Sequence, residues 1–317
     1  MSTFTNSVSK KILGLRPCIK NQQLNPYFVS GFVDAEGSFV ISIIRKSKGI
    51  KWAVRARFNI ALHSKDLPLL RSIQTFFGGI GSIYESKDGK SVSFVVCKSE
   101  DLTTVIIPHF LKYPLVTQKW GDFLTFKWII ELMNKKEHLT EEGLCKIVSI
   151  RAALNRGLSE ELKIAFPNII PVERPVVKIT ENLDPNWLVG FIDGCFAVEI
   201  TKSKLYNVGF VVSLKFIIAQ DSRDQVLMNS LVNYFGCGIL KVSLKTSMLY
   251  FTVHKFADLR DKIIPFINKY PLQGSKILNF VDFCKVAELM NNKAHLTKDG
   301  LEEIRKIRSG MNNGRIE

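Results

Sequence analysis

The sequence predicts an α+β protein of two similar halves, each with one antiparallel four-stranded sheet backed by helices on one side. Three observations point there: a long internal repeat, a switch from helical to alternating apolar pattern after each repeated motif, and polar or basic residues alternating with the apolar ones along the predicted strands. The segment NPYFVSGFVDAEGSF from Asn25 to Phe39 recurs as DPNWLVGFIDGCF from Asp184 to Phe196. Pro26 and Pro185 lie 159 residues apart but Phe39 and Phe196 only 157, so the second copy lacks two residues at its acidic end. The repeat continues through Phe76-Phe77-Gly78 and Tyr234-Phe235-Gly236, Tyr113-Pro114-Leu115 and Tyr270-Pro271-Leu272, and His138-Leu139-Thr140 and His295-Leu296-Thr297. Two units of this size imply pseudo-symmetry.

Each element of one half has its own signal. Asn25 before Pro26 predicts a capped helix to Glu36, and Asp184-Pro185 repeats the start. Ser30, Gly31 and Ala35, with Val189, Gly190 and Gly194, leave room for two such helices to pack closely. Phe39, Ile41 and Ile43 alternate with Ser38, Val40, Ser42 and Ile44, which is strand periodicity. Ala53–Leu62 is a second strand, Asp66–Phe77 a helix, and Ile80–Tyr84 with Ser91–Val96 a hairpin turning at Asp88-Gly89. Helices follow over Asp101–Phe110, Thr117–Asn134 and Thr140–Leu154. In the second half Phe196–Lys202, Gly209–Ile218, Gly238–Ser243 and Leu249–Val253 supply the strands. The expected organisation is a basic arm over 1–24, halves over 25–156 and 184–314, a linker over 157–183 and a tail over 315–317. Pro167, Pro171 and Pro175 break any helix in the linker; Leu162, Ile164 and Phe166 dock its first part, and its middle is expected to act as a tether.

Composition narrows the partners. The net charge is +15, with 23 Lys and Arg against 12 Asp and Glu up to Leu158, and 21 against 17 beyond it. Such an excess favours a polyanion, although a solubilising surface produces it too. The six cysteines are scattered without a CxxC pair and read as free thiols of a reducing compartment. No apolar run approaches a membrane span. Asp34 is the first acidic residue, after Lys10, Lys11, Arg16 and Lys20; an organellar transit segment, a disordered basic arm and a fragment of an in-frame fusion all share that pattern. Arg55, Arg57, Lys215, Lys241 and Lys245 fall on the open sheet faces, which are either ordinary solvated faces or surfaces for the DNA major groove.

The motif VSGFVDAEG over Val29–Gly37 resembles the signature of the LAGLIDADG homing endonucleases, and Leu188–Gly194 resembles a truncated second signature. The likeness extends through His63-Ser64-Lys65-Asp66, the Tyr-Pro-Leu segments and Glu137–Thr140, and is greatest to single-chain, two-motif members encoded in fungal mitochondrial introns. It implies signature helices at the interface between halves, saddle-shaped sheets on a long asymmetric duplex DNA target, and hydrolysis of one phosphodiester per strand. It further implies Mg²⁺, with Ca²⁺ as a non-catalytic substitute, at the last acidic residue of each motif. A mitochondrial monomer is expected, with no membrane partner. Some relatives are RNA-binding intron maturases, so host intron RNA and a cleavage-defective binder are the alternatives.

Candidate roles follow. Paired carboxylates holding a divalent ion neutralise a scissile phosphate and activate water, and Glu36 is the first of the pair. Aligned on Gly190-Phe191, Asp193 matches Asp34 and nothing matches Glu36; aligned on Gly194-Cys195-Phe196, Asp193 matches Glu36 but the helix loses two residues, about 3 Å of rise. Unequal scission centres are therefore expected. Asp34 is read as structural. By resemblance, Lys98 and Lys255 approach the scissile phosphate and Gln220 lines the pocket; each is otherwise a solvated strand-end residue. Recognition is assigned to Ser38, Val40, Ser42, Ile44 and Lys46 with Arg55, Arg57 and Asn59, and in the second half to Ala197, Glu199 and Thr201 with Ser213, Lys215, Ile217, Lys241 and Lys245. His138 and His295 are read as helix caps or core hydrogen-bonders rather than metal ligands.

Overall fold

The computed structural model describes residues 23–45, 52–154, 157–177, 182–192, 195–243 and 245–312. Residues 1–22 of the basic arm, Lys46, Asp193, Gly194 and the tail over 315–317 lie outside them. The chain forms two compact units, one spanning Leu24–Ile192 and the other containing Asp193–Glu317.

In the first unit, helix α1 (Pro26–Glu36) runs directly into β1 (Gly37–Arg45). Asn25 caps it, its side chain accepting from the Tyr27 amide at 2.9 Å, and the proline at its start has no amide hydrogen left to satisfy. β1 pairs antiparallel with β2 (Trp52–His63), β2 with β4 (Ser91–Val96), and β4 with β3 (Ser82–Glu85). Helix α2 (Leu67–Phe76) connects β2 to β3. The β3–β4 turn sits where Asp-Gly places it: Gly89 has φ +66°, and the Asp88 carboxylate accepts from Ser86 Oγ at 2.6 Å and the Lys90 amide at 3.1 Å. After β4 the chain is helical from Ser99 to Lys112, with a π turn over Leu102–Ile106 before α3 (Ile107–Lys112). Pro108 offers no amide to the preceding turn, and the ladder widens there. Helices α4 (Lys119–Asn134), α5 (Glu141–Ala152) and α6 (Glu160–Ala165) follow. Phe39 joins sheet to helices in one aromatic cluster with Phe58, Phe110, Phe123 and Phe126.

The second unit repeats this order. β5 (Cys195–Lys202), β6 (Phe210–Asp221), β7 (Ile239–Val242) and β8 (Met248–Val253) form a sheet of order β5-β6-β8-β7, as β1-β2-β4-β3 in the first. Helix α8 (Gln225–Phe235) joins β6 to β7, and α9 (Ile264–Lys269), α10 (Lys276–Asn291) and α11 (Lys298–Ser309) complete it. Pro265 again follows a π turn, over Leu259–Ile263. Phe196 packs on Phe216, Phe280 and Phe283, so the same cluster is rebuilt. The predicted α+β architecture of two four-stranded antiparallel sheets with backing helices is present.

Two expectations need correction. The middle of the linker is not a free tether. The Val172 amide donates to Ser149 O at 3.3 Å, Ser149 Oγ donates to Ile170 O, and Arg174 pairs with Asp122 at 2.7 Å. The prolines stop a helix but leave an extended backbone that lies along α4 and α5. Phe166 docks on Trp52 as expected, whereas Ile164 is exposed. Of the two readings of the repeated histidines, cap or core hydrogen-bonder, the cap falls to neighbouring threonines, whereas His295 does make a backbone hydrogen bond with Leu289. Thr140 and Thr297 cap α5 and α11, accepting from the Gly143 and Gly300 amides at 3.1 Å. Nδ1 of both His138 and His295 is buried without a partner.

Candidate functional site

The site begins with a pair of helices inside the first unit. The second signature helix, α7 (Pro185–Phe191), is capped by Asp184 and packs against α1. Contact is backbone to backbone. A Cβ at Gly31 would lie 1.9 Å from Trp187 O, and one at Gly190 would lie 2.1 Å from Phe28 O. Only glycine fits either place. Ser30, expected to serve only as a small residue, instead donates from Oγ to Tyr113 O at 2.6 Å and lies 3.2 Å from His109 Nε2.

Asp34 ties this pair to the rest of the unit. It is buried, and its carboxylate accepts from the Val116 amide at 2.8 Å, Thr117 Oγ1 at 2.5 Å and the Thr117 amide at 3.3 Å. A fourth donor comes from the other signature: Trp187 Nε1 at 2.8 Å. Burial raises the Asp34 pKa, opposed by the Thr117 and Val116 hydrogen bonds, the nearby Lys119 charge and the Trp187 bond. Lys119 Nζ donates to Val33 O and Asp34 O, both at 2.8 Å, placing an ammonium at the C-terminal end of α1 where the helix dipole is negative.

Glu36 ends α1 on that same turn. It is half-buried and makes no hydrogen bond or ion pair with a described residue. Neither oxygen is engaged by a described residue, and the donor type fits a divalent ion such as Mg²⁺ or Ca²⁺. Among the described residues no three His, Cys, Asp or Glu gather as a metal cluster. Protein carboxylates would then fill only part of the ion's shell, as is usual for Mg²⁺, which keeps water and substrate oxygens. α7 is four residues shorter than α1, and it ends at Phe191, two residues before Asp193.

The other predicted residues stand at or just past the ends of strands. Lys98 is exposed and paired with Glu100 at 2.8 Å. Lys255 is exposed in the turn before the helical segment at Phe256. Gln220 stands opposite Leu249, on the parity of Phe216 and Ile218, so it belongs to the helix-backed side of its sheet. Lys119, Thr117 and Trp187 were not singled out from sequence. A signal for the first existed: Lys119 follows Tyr113-Pro114-Leu115 at the spacing at which Lys276 follows Tyr270-Pro271-Leu272.

The open sheet faces follow from register. Ser38, Val40 and Ser42 stand opposite Asn59, Arg57 and Arg55. Both arginines are exposed, without a hydrogen bond or ion pair to a described residue. Ile44 is 45% exposed on the same face. In the second sheet Ala197 faces Lys215, Glu199 faces Ser213, and Ile217 shares that face. There Lys215 Nζ lies 2.7 Å from the Glu199 carboxylate. Thr201, Lys241 and Lys245 are exposed.

The description "LAGLIDADG endonuclease" matches this chain over residues 29–130 and again over 188–287. The chain belongs to the LAGLIDADG endonuclease family. It is 43% identical over 301 residues to probable intron-encoded endonuclease 2 of Neurospora crassa, covering 91% of this chain and 65% of that protein. It is 42% identical to probable intron-encoded endonuclease 3 of the same organism, covering 89% of this chain and 53% of the relative. The chain therefore spans less than two thirds of the length of these curated relatives. The LAGLIDADG homing endonuclease I-SmaMI bound to cleaved DNA superposes with a TM-score of 0.90 at 48% identity, over 94% of this chain and all of that one. I-SmaMI bound to uncleaved DNA target in the presence of calcium ions gives 0.89 at 48% identity, over 91% and 99% of the two chains. I-LtrWI bound to target DNA gives 0.89 at 40%, over 92% and 98%. No described helix is long and apolar enough to cross a membrane.

Proposed function

We propose that this LAGLIDADG protein is a site-specific double-stranded DNA endonuclease that acts as a monomer with Mg²⁺. The observation that carries the reading is the end of α1, where Glu36 has no described partner and Lys119 supplies an adjacent ammonium. The calcium-containing I-SmaMI complex supports a divalent ion. Glu36 and Asp193 would hold that ion, which when bound neutralises phosphate charge and lowers the pKa of water. Lys119 holds positive charge at the helix end and, with Asp34, fixes the direction in which Glu36 projects. Arg55 and Arg57, with Ser38, Val40, Ser42, Ile44 and Asn59, bind one half-site; Ala197, Glu199, Thr201, Ser213, Lys215, Lys241 and Lys245 bind the other. On this reading residues 25–156 and 184–314 each serve one half-site, and 157–183 joins them. A mitochondrial location is in keeping with its similarity to intron-encoded fungal relatives.

The two centres are unequal, because α7 ends before its acidic residue whereas α1 ends on its own. Strand-resolved cleavage of a supercoiled plasmid carrying the insertion site tests this. Rapid nicking with slow linearisation is expected, and synchronous cutting of both strands would refute it. Glu36→Gln should lower the nicking rate by about 10²–10³-fold at saturating DNA while leaving affinity intact. Equal cutting by that variant removes Glu36 from the centre. Duplex binding without any cutting by the wild-type protein, at any Mg²⁺ concentration, would turn the assignment to a cleavage-defective binder.

A further inference from the structure

The ion pair on the open face of the second sheet carries more than charge balance. Glu199 lies on β5 and Lys215 on β6, and their registry partners, Ser213 and Ala197, are small. The diagonal between the two side chains is thus clear, with Ile217 flanking Lys215 and Thr201 flanking Glu199 on the same face. The side chains, 40% and 33% exposed, therefore meet diagonally across the face at 2.7 Å. Neither is needed by the core, which lies on the other face with Val198, Leu214 and Phe216. The pair presents one pure acceptor and one pure donor side by side. A phosphate-binding surface has no use for the carboxylate, since it repels the backbone. A base edge does.

Resting on the DNA-binding reading above, we infer that Glu199 and Lys215 together read one G·C base pair in the major groove of the second half-site. Guanine offers two adjacent acceptors, N7 and O6, to the lysine; cytosine offers the N4 amino group to the carboxylate. An A·T pair places its single amino group between two acceptors, N7 and O4, so a carboxylate reaching it is repelled from both sides. The thymine methyl further crowds the outer edge. The ion pair also orders both side chains before DNA arrives, lowering the entropy lost on binding.

The test is selection from a randomised duplex pool by the wild-type protein, by Glu199→Gln and by Lys215→Met, followed by competition binding on single-base-pair variants of the selected consensus. A position of strict G·C preference is expected in the wild type. Both variants should lose discrimination there, by about tenfold or more, while keeping it at other positions. The charge-swapped double variant, Glu199→Lys with Lys215→Glu, retains an ion pair and tests whether pairing alone suffices; it should not recover the wild-type preference. Unchanged preference in the single variants, or recovery by the swap, overturns the inference while leaving DNA recognition standing. A uniform rise in affinity of Glu199→Gln for all duplexes, without a change at one position, also overturns it, since the glutamate then only masks the lysine. A wild-type protein that selects no sequence at all defeats both this inference and the DNA-binding reading beneath it.

Discussion

The first sheet presents Arg55 and Arg57 without a partner among the described residues, whereas the second binds Lys215 to Glu199. The same contrast runs through the signature helices. In the first copy Asp34 collects four donors and orders the turn holding Lys119; in the second the helix stops at Phe191. One set of strands and helices was thus given two chemical assignments. What both copies share, the aromatic cluster and the π turn before proline, is what each needs to fold. What only one copy has marks what that copy does.

The sharpest break in the comparison comes from the feature that the two helices contribute equally. Gly31→Ala and Gly190→Ala each drive a Cβ into the opposing backbone, and each should cost about 3–5 kcal/mol in urea unfolding. Gly78, also a glycine but with open space around it, should cost far less when changed to Asn, which tolerates positive φ. Next in size is a pH effect confined to the first copy. His109 is packed among Phe76, Phe77 and Phe110, and burial pushes its pKa down to about 4. A histidine held neutral in the fold contributes stability that is full above its unfolded pKa of about 6.5 and is lost as pH falls toward 4. The loss should reach roughly 3 kcal/mol. The second copy has Phe266 at the matching place. His109→Phe should flatten the pH dependence of unfolding between those limits; an unchanged slope would assign it to other groups.

Trp187→Phe sharpens the comparison at a smaller scale. It converts the second-copy residue to the type at Phe28, keeps an aromatic ring, and removes the bond to Asp34 together with part of the buried indole volume. A loss of about 1–2 kcal/mol is expected, together with slower nicking at unchanged DNA affinity, because the Lys119 turn is less firmly held. The smallest effect is in salt dependence. Arg55→Gln and Arg57→Gln should each reduce the slope of log K against log salt by about 1 if they meet phosphates. Lys215→Gln should scarcely alter it, because Glu199 already neutralises that charge.

Much of this is legible in the sequence. Alternation along β1 and β2 assigned Arg55 and Arg57 to the open face because a sheet has only two sides. The offset between the copies located the shortened helix, since a deletion inside a repeat shows as arithmetic. Lys119 escaped because its ammonium caps carbonyls some 85 residues earlier in the chain, and no local period records such a reach. The linker departs from its expected tether for a related reason. Its prolines announce what the backbone cannot form, but not that Ser149 and Asp122 are placed to hold it. Gln220 shows the limit of parity: its pocket role comes from likeness, whereas register only sets it on the parity of Phe216 and Ile218.

The glycine contact between α1 and α7 has a consequence for how such a protein changes over time. Gly31 meets Trp187 through main-chain atoms, and Gly190 meets Phe28 in the same way. The separation of the two helices is therefore gauged by backbone, whose dimensions no substitution elsewhere alters. Core side chains behind the sheets can drift, and the exposed positions of β1 and β2 can be exchanged for new base preferences, without resetting that gauge. On the endonuclease reading proposed above, such a protein can rewrite its DNA-contacting surface while the geometry of its cutting centre is inherited intact.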